Sequence, residues 1–457
     1  MKAVTPALTL TLSLLVGGGC AVGPDYVTPE LATPAAFSPV PGARAVAVEH
    51  WAGLYRDPDL DQLIDRARAN NHSLAALYQR TLQARALIRR EQSEKRLQAT
   101  GSAAYRRSEN PSQGGIPRDR NEHQAFLDLG WELDLFGRVA RLIEAAEAEA
   151  EATGAAFEDL LLLTETEAAI AYFQIRALDR EIDAIERSTQ TRQEALKIVK
   201  QRFESGLVSD LDVAQAETLL AESEAEVSVL RRQREVLEHA LAVLTGEPAP
   251  VFSIAPGPLN GFSVAPPHTL PSRLLQSRPD LQEAELRLQR ANAEVGVASA
   301  NFYPRISIGG TGGFAAVAAD DWFRSNARFY SIGPEITLPI FQGGRLRAEL
   351  SRTEAAYAET LENYRQAVLV AFAEVEDALS GWRHLAAQRE ARDRAAASAS
   401  RAQKLSEQQY RNGSIDFITA LDAERVALDA ERRLAQVIGE EYVNSVRLIR
   451  AIGGRWE

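Results

Sequence analysis

The sequence contains a single cysteine, Cys20, and a single methionine, the initiator. No disulfide can form within the chain, and no Cys-x-x-Cys metal site exists. The six histidines (His50, His72, His123, His239, His268 and His384) share no ligand spacing. Beyond residue 20 no apolar run approaches the roughly 18 residues that a membrane helix requires. Any bilayer crossing therefore falls to β-strands closed into a barrel. Lys and Arg number 51 against 63 Asp and Glu, and this acidic balance argues against a nucleic-acid partner. GGTGG at 309–313 lacks the helix and lysine that follow in a phosphate loop. With no visible nucleophile or metal cluster, the expectation is a protein that is not an enzyme and holds no cofactor or metal.

What is present is a repeat. RFESGLVSDLDVAQAE at 202–217 recurs within YRNGSIDFITALDAER at 410–425, where Phe203 pairs with Tyr410, Gly206 with Gly413 and Glu217 with Glu424 at an offset of 207 residues. Each copy ends a long helix on an aromatic, Phe203 or Tyr410, and breaks it at Gly206 or Gly413. Ser209 or Asp416 then offers an N-cap for a helix going back. Each reads as the tip of a helical hairpin, and two tips this far apart in 457 residues mark a duplicated unit.

Helical periodicity covers most of the chain. From 137 to 204 a ladder runs Phe157, Leu161, Thr164, Ala168, Ala171, Ile175, Leu178, Ile182, Ile185, Thr189, Arg192, Leu196, Val199 and Phe203. Its alternating three- and four-residue steps are those of a coiled-coil seam. At 1.5 Å per residue this helix is ~100 Å long, and its return at 211–244 is ~50 Å. The helical stretch before the strands is expected to stack end to end on the return helix. The second copy predicts helices at 343–409 and 418–452.

Elsewhere the period drops to two. HQAFLDLGWELDLF at 123–136 puts Ala125, Leu127, Leu129, Trp131, Leu133 and Leu135 on one face, with Asp128, Glu132 and Asp134 opposite. FYSIGPEITLPIF at 329–341 sets Ile332, Ile336, Leu338 and Ile340 against Glu335 and its polar neighbours. With shorter strands near 99–107 and 304–314, four strands have one apolar and one polar face, as a barrel wall requires. The acids Asp128, Glu132, Asp134 and Glu335 are expected to face the lumen.

The predicted organisation is a signal peptide at 1–19, a Pro-rich tether at 20–50, a first repeat at 51–245, a linker at 246–271 and a second repeat at 272–457. The tips fall near 204–211 and 411–418, and the second and fourth strands near 122–136 and 328–341. The short apolar run 8–16 followed by Gly-Gly-Gly-Cys20 has the parts of a secretory signal. It resembles a bacterial lipoprotein cleavage box, departing from it in having Gly17 where Leu is usual. That resemblance implies diacylglycerol and an N-acyl chain on Cys20. Ala21 after the cysteine implies sorting to the outer membrane.

Eight segments carry a wider resemblance: GCAVGPDYVTPE, WAGLYRDPDLDQLIDRA, WELDLFGRV, RFESGLVSDLDV, LPSRLLQSRPDLQEAE, NFYPRISI, LPIFQGGR and YRNGSIDFITALDAER. In this order, over essentially the whole mature chain, they resemble the TolC-type outer membrane factors, in the OprM/NodT-like lipoprotein branch. The resemblance implies a mainly α fold of duplicated coiled-coil hairpins forming an α-barrel, with four transmembrane β-strands per chain. Three copies would build a twelve-stranded β-barrel in the Gram-negative outer membrane, continued by a long periplasmic tunnel. The implied partners are a homotrimer, a periplasmic adaptor, an inner-membrane pump of the RND type and outer-membrane lipid. An ABC-type secretion system is the alternative pump. The family closes its periplasmic end with an apolar residue, an Asp and an Arg, which match Ile418, Asp422 and Arg425. An Asp422–Arg425 pair between neighbouring hairpins would hold the aperture shut. Asp210, Asp212 and Asp416 add acid at the same end, either to favour cations or to serve as helix caps. The implied function is a passive exit duct.

Overall fold

The computed structural model describes residues 21–31, 34, 36–39, 50–110, 118–259 and 277–454. The signal segment, Cys20, most of the expected tether and residues 260–276 lie outside these described residues. Contacts divide the chain into two compact units. One comprises residues 1–31, 78–155 and 282–366, the other residues 32–77, 156–281 and 367–457. Each draws on both sequence copies.

The helices are α1 (Pro58–Asn70), α2 (His72–Ser93), α3 (Arg138–Glu204), α4 (Asp210–Leu244), α5 (Pro279–Ala300), α6 (Arg345–Arg411) and α7 (Phe417–Ala451). The duplication is expressed in their lengths. The 67 residues of α3 recur in α6, the 35 of α4 in α7 and the 22 of α2 in α5, each starting 207 residues later. The expected helix boundaries agree to within two residues.

In the second unit the α3 ladder is the seam of the core. Thr164, Ala168, Ala171, Ile175, Ile185, Arg192 and Val199 are buried, whereas Phe203 at its end is 43% exposed. Around Phe173 the core is aromatic: its ring lies 4.8 Å from Tyr55 and 4.6 Å from Tyr442. The expected linker begins as part of this core. Phe252 and Leu259 are buried in it, and the intervening backbone is satisfied by charged side chains. Ile254 N–H donates to Glu238 at 2.9 Å and Gly257 N–H to Asp179 at 3.1 Å. Arg234 and Arg176 donate to the carbonyls of Ile254 and Ala255. A proline-rich segment lacks donors for secondary structure, so side chains take up the polar groups that its burial would strand.

Asn71 makes a joint between two helices. Its Oδ1 accepts from the Ser73 and Leu74 amides, capping α2, while its Nδ2 donates to the Leu244 carbonyl at 3.0 Å, the last of α4. The second copy repeats the joint with other chemistry: Arg278, 207 residues on, donates to the Ala451 carbonyl at 3.0 Å, the last of α7. Each joint answers the orphan carbonyls of a helix end with a side chain from the helix that follows in space. At α4 this is the end-to-end stacking expected of the return helix.

The first unit contains the sheet: β1 (Gln98–Asn110), β2 (Arg118–Leu133), β3 (Arg305–Ala316) and β4 (Arg328–Thr337), antiparallel throughout in the order β1-β2-β3-β4. Register places Leu127, Gly312 and Tyr330 in one row, and Leu129, Gly310 and Ile332 in another. By alternation Trp131, Ile308 and Ile336 share that face, leaving Asp128, Thr311, Glu132, Ser307, Ser331 and Glu335 on the other. Tyr330, Ile332 and Ile336 are 86%, 76% and 67% exposed, an apolar face that water does not favour. Two strands end earlier than their alternation predicts. β4 stops at Thr337, because Pro339 cannot donate to a ladder. β2 stops at Leu133, where Asp134 is taken by the next helix.

Residues 22–25 are seated in this unit. Val22 N–H donates to the Phe136 carbonyl at 3.1 Å. The buried Arg141 guanidinium binds Asp25 at 2.7 Å, and Asn292 donates to the Pro24 carbonyl at 2.9 Å. Gly23 has φ +101°, and a Cβ there would lie 2.5 Å from the Gly296 Cα, so only glycine fits.

Asn71→Ala removes a cap and leaves a helix-end carbonyl without its donor. A loss of about 1–2 kcal/mol is expected, measured as a lower denaturation midpoint, with Arg278 and its joint unaffected.

Candidate functional site at the hairpin tips

Both tips are built as the repeat predicts. Gly206 and Gly413 adopt φ of +70° and +74°. At each, two crossed backbone bonds close the helix: Leu207 N–H to Arg202 O and Gly206 N–H to Phe203 O, then Ser414 N–H to Gln409 O and Gly413 N–H to Tyr410 O. The return helices start differently. Asp416 accepts the Thr419 amide at 2.9 Å. Ser209 is the N-cap of α4 in a capping box with Asp212, to which its hydroxyl and its amide both donate at 2.8 Å. The bonds from Ser209 hold Asp212 below the usual carboxylate range, and those from Thr419 do the same for Asp416. Asp212 and Asp416 are thus explained by local capping. Asp210 is the first residue of α4, where an acid suits the helix dipole.

Ile418, Asp422 and Arg425 lie on the first turns of α7, where Ile418 is 51% exposed. Arg425 donates to Asp422 at 2.7 Å across one turn of the same helix, and both side chains are exposed. The expected pairing between neighbouring hairpins is therefore replaced, in the single chain, by a pair within one helix. All three groups remain presented to solvent.

Sequence reasoning missed a second set of contacts that joins the two hairpins. Arg192 of α3 binds Glu424 of α7 at 3.1 Å, with both side chains at or below 10% exposure. Ser188 also donates to Glu424, and Arg192 reaches the Leu219 carbonyl of α4 at 2.9 Å. Higher on the same helix pair, Gln436 donates to Glu181 at 2.9 Å, while Arg432 spans Glu181 and Glu226. Burial pushes Glu181 up despite these partners. Apolar clusters flank the pairs. One packs Ile185, Val227 and Leu230 with Leu428, and the other packs Val199, Ala216 and Phe417 with Tyr410 and Leu421. Arg202 covers the Tyr410 ring at 4.9 Å. Each fully buried Val or Phe contributes about 1.5–3 kcal/mol, whereas desolvation offsets much of a buried pair's attraction. The apolar clusters thus supply the adhesion, and the ion pair fixes register. The one sequence signal was Arg192 at a seam position where an apolar residue is usual.

The strand acids also have roles that sequence did not assign. Asp134 accepts the Val139 and Ala140 amides at 3.1 and 2.7 Å, starting α3, so it is a helix cap and not a residue of the strand wall. Glu132 binds Arg138 at 2.8 Å. Asp128 accepts from Thr311 on the polar face of the sheet. Glu335 lies on that same face, beside Thr337.

A duplicated pair of long hairpins with four amphipathic strands per chain defines a membrane-embedded conduit protein. The family model for outer membrane efflux proteins matches residues 63–247 and 270–454. The chain is 31% identical to the solvent efflux pump outer membrane protein SrpC of Pseudomonas putida, over 97% of either protein. It is 32% identical to the toluene efflux pump outer membrane protein TtgC of the same species, over 98% of this chain and 95% of that one. The solved outer-membrane channel OprN superposes with a TM-score of 0.88 at 31% identity, covering 96% of this chain and all of that one. The chain belongs to the outer membrane efflux protein family, and its place is the outer membrane.

Two outcomes follow from the tips. Because the carboxyls of Asp212 and Asp416 are held below their usual range, they stabilise the first turns of α4 and α7 above about pH 4. That contribution is lost as pH falls through the lowered values. Amide exchange at 210–213 and 417–420, corrected for intrinsic rate, is expected to quicken in acid, and Asp416→Asn should quicken it at neutral pH. Glu424→Ala should cost about 3–5 kcal/mol by stranding buried Arg192. Its repeat mate Glu217, paired at the surface with Lys200, should tolerate the same change without a resolvable shift in the denaturation midpoint.

Proposed function

We propose that the protein is the exit duct of a tripartite efflux system, passively conducting small molecules from an inner-membrane pump of the RND type and a periplasmic adaptor to the exterior. The observation that carries this is the sheet: one exposed apolar face, one polar face, and outer edges on β1 and β4 that pair with no strand among the described residues. A sheet edge inside a bilayer must be paired, so neighbouring copies close the barrel. Three copies of four strands make a twelve-stranded wall with Asp128, Glu132 and Glu335 toward water. The names of the relatives, pumps for solvents and toluene, make small apolar compounds the first substrates to test. Acylation of Cys20 would add a lipid anchor close to the seat of Val22 and Gly23. That seat lies beside the end of β2.

At the hairpin tips, Ile418, Asp422 and Arg425 from each copy would ring the periplasmic aperture. Their exposure and their position on the first turns of α7 support the reading. A pair within one helix is free to exchange partners with the neighbouring copy, which gives the adaptor a contact to displace.

Planar-bilayer recording on the purified trimer tests both ideas. The wild type is expected to show small, cation-selective openings, and Asp422→Ala with Arg425→Ala to raise conductance several-fold. Unchanged conductance would move the gate elsewhere, and a folded trimer that never conducts would remove the duct.

A further inference from the structure

The polar face of the sheet has one apolar interruption. Register sets Phe126, Gly313 and Phe329 in a single row on the face that carries Asp128 and Glu335. The rows beside it are polar or small: Gln124 and Ala315 on one side, Asp128, Thr311 and Ser331 on the other. By strand alternation, Phe126 and Phe329 are the only side chains on that face, among the described residues, that are apolar and larger than alanine.

The two rings meet across the glycine between them. Their centroids lie 6.4 Å apart and their planes are tilted by 55°. A Cβ at Gly313 would lie 2.5 Å from the Phe126 Cα, so no other residue fits there. A strand glycine is commonly covered by one aromatic side chain from the neighbouring strand. Here two rings flank it, and Phe329 is still 37% exposed while Phe126 is half-buried. Covering the glycine accounts for one ring and leaves the other presenting its face on a hydrophilic wall.

The surroundings select what that face would bind. Asp128 stands one row away, and Glu132 and Glu335 lie further along the same face, so the local charge suits cations. The face of a phenyl ring attracts a cation, and its edge or offset face attracts another ring. A flat aromatic group that carries a positive charge meets both demands.

We propose that Phe126 and Phe329 form a contact site for planar aromatic cations on the inner wall of the barrel, repeated in each of its three copies. The site rests on the trimeric duct above, in which the polar face of the sheet lines a water-filled bore. A solute would lay its ring against Phe329 with its charge toward Asp128. One ring contact changes affinity by only about two- to ten-fold. The site therefore delays aromatic cations during passage and does not store them.

Two measurements on full-length trimers test the site and the reading beneath it separately. The first asks which way the rings face. Phe329→Cys and its neighbour Tyr330→Cys are treated in lipid vesicles with a charged, membrane-impermeant methanethiosulfonate, and the parent chain with Cys20 alone gives the baseline. Modification is expected at position 329 and not at 330. The reverse would overturn the assignment of the polar face to the bore. The second compares block of the planar-bilayer current by benzyltrimethylammonium and by its cyclohexylmethyl analogue, which has the same charge and no π system. In the wild type the aromatic probe is expected to reach half-block at about three-fold lower concentration or less. Phe126→Leu with Phe329→Leu keeps apolar side chains over Gly313 and should bring the two probes to equal potency. If that pair does not fold, Phe329→Leu alone, on the edge strand β4, takes its place. Equal block of the wild type by both probes would overturn the proposal, as would a preference that survives the leucine variants. Wild-type trimers that never conduct would instead overturn the duct.

Discussion

Backbone polar groups at helix and strand ends must find partners, and the rest of this structure depends on where those partners come from. A helix of 67 residues is returned by one of 35. The shorter helix therefore ends partway along the longer one, and its last carbonyls need donors there. Asn71 and Arg278 resolve this by donating to the final carbonyls of α4 and α7. The sheet faces the same demand at its edges, and there the chain alone has no answer. The ends of α4 and α7 are therefore satisfied within one polypeptide, whereas the strands call for neighbours.

Much of the fold was legible because the chain states it twice. The 207-residue offset located both tips, and the three- and four-residue steps of the α3 ladder predicted which side chains lie inward from Thr164 to Val199. Period-two alternation found β2 and β4 but overran their ends, for local reasons. Asp134 has the polarity that the pattern requires, yet a helix start competes for its carboxylate, and Pro339 sits in the alternation while lacking the N–H that a ladder needs. The proline-rich linker read as a spacer because composition does not reveal that Asp179, Glu238, Arg176 and Arg234 supply the donors and acceptors it lacks.

At the candidate site the sequence named residues without naming their partners. Asp422 and Arg425 were found, but three residues apart on a helix they reach each other first. Glu424, between the two in sequence, points the other way and meets Arg192 across 232 residues of chain. Pairing over such distances leaves no periodic trace. It shows in one sequence only as a charge at a seam position, and Arg192 was such a charge.

The matched helix lengths of the two copies have a consequence for how this protein tolerates change. A helix advances by 100° per residue, so one residue inserted into α3 would rotate every position below it out of the seam and break register with α7 at once. A compensating insertion in one neighbour would not suffice, because α4, α6 and α7 share the same level of packing. The long helices are thus locked to two counts, 67 residues for α3 and α6 and 35 for α4 and α7, and relatives should keep those counts even where their side chains have drifted beyond recognition. Insertions and deletions are left to segments outside these helices, such as residues 317–327 between β3 and β4.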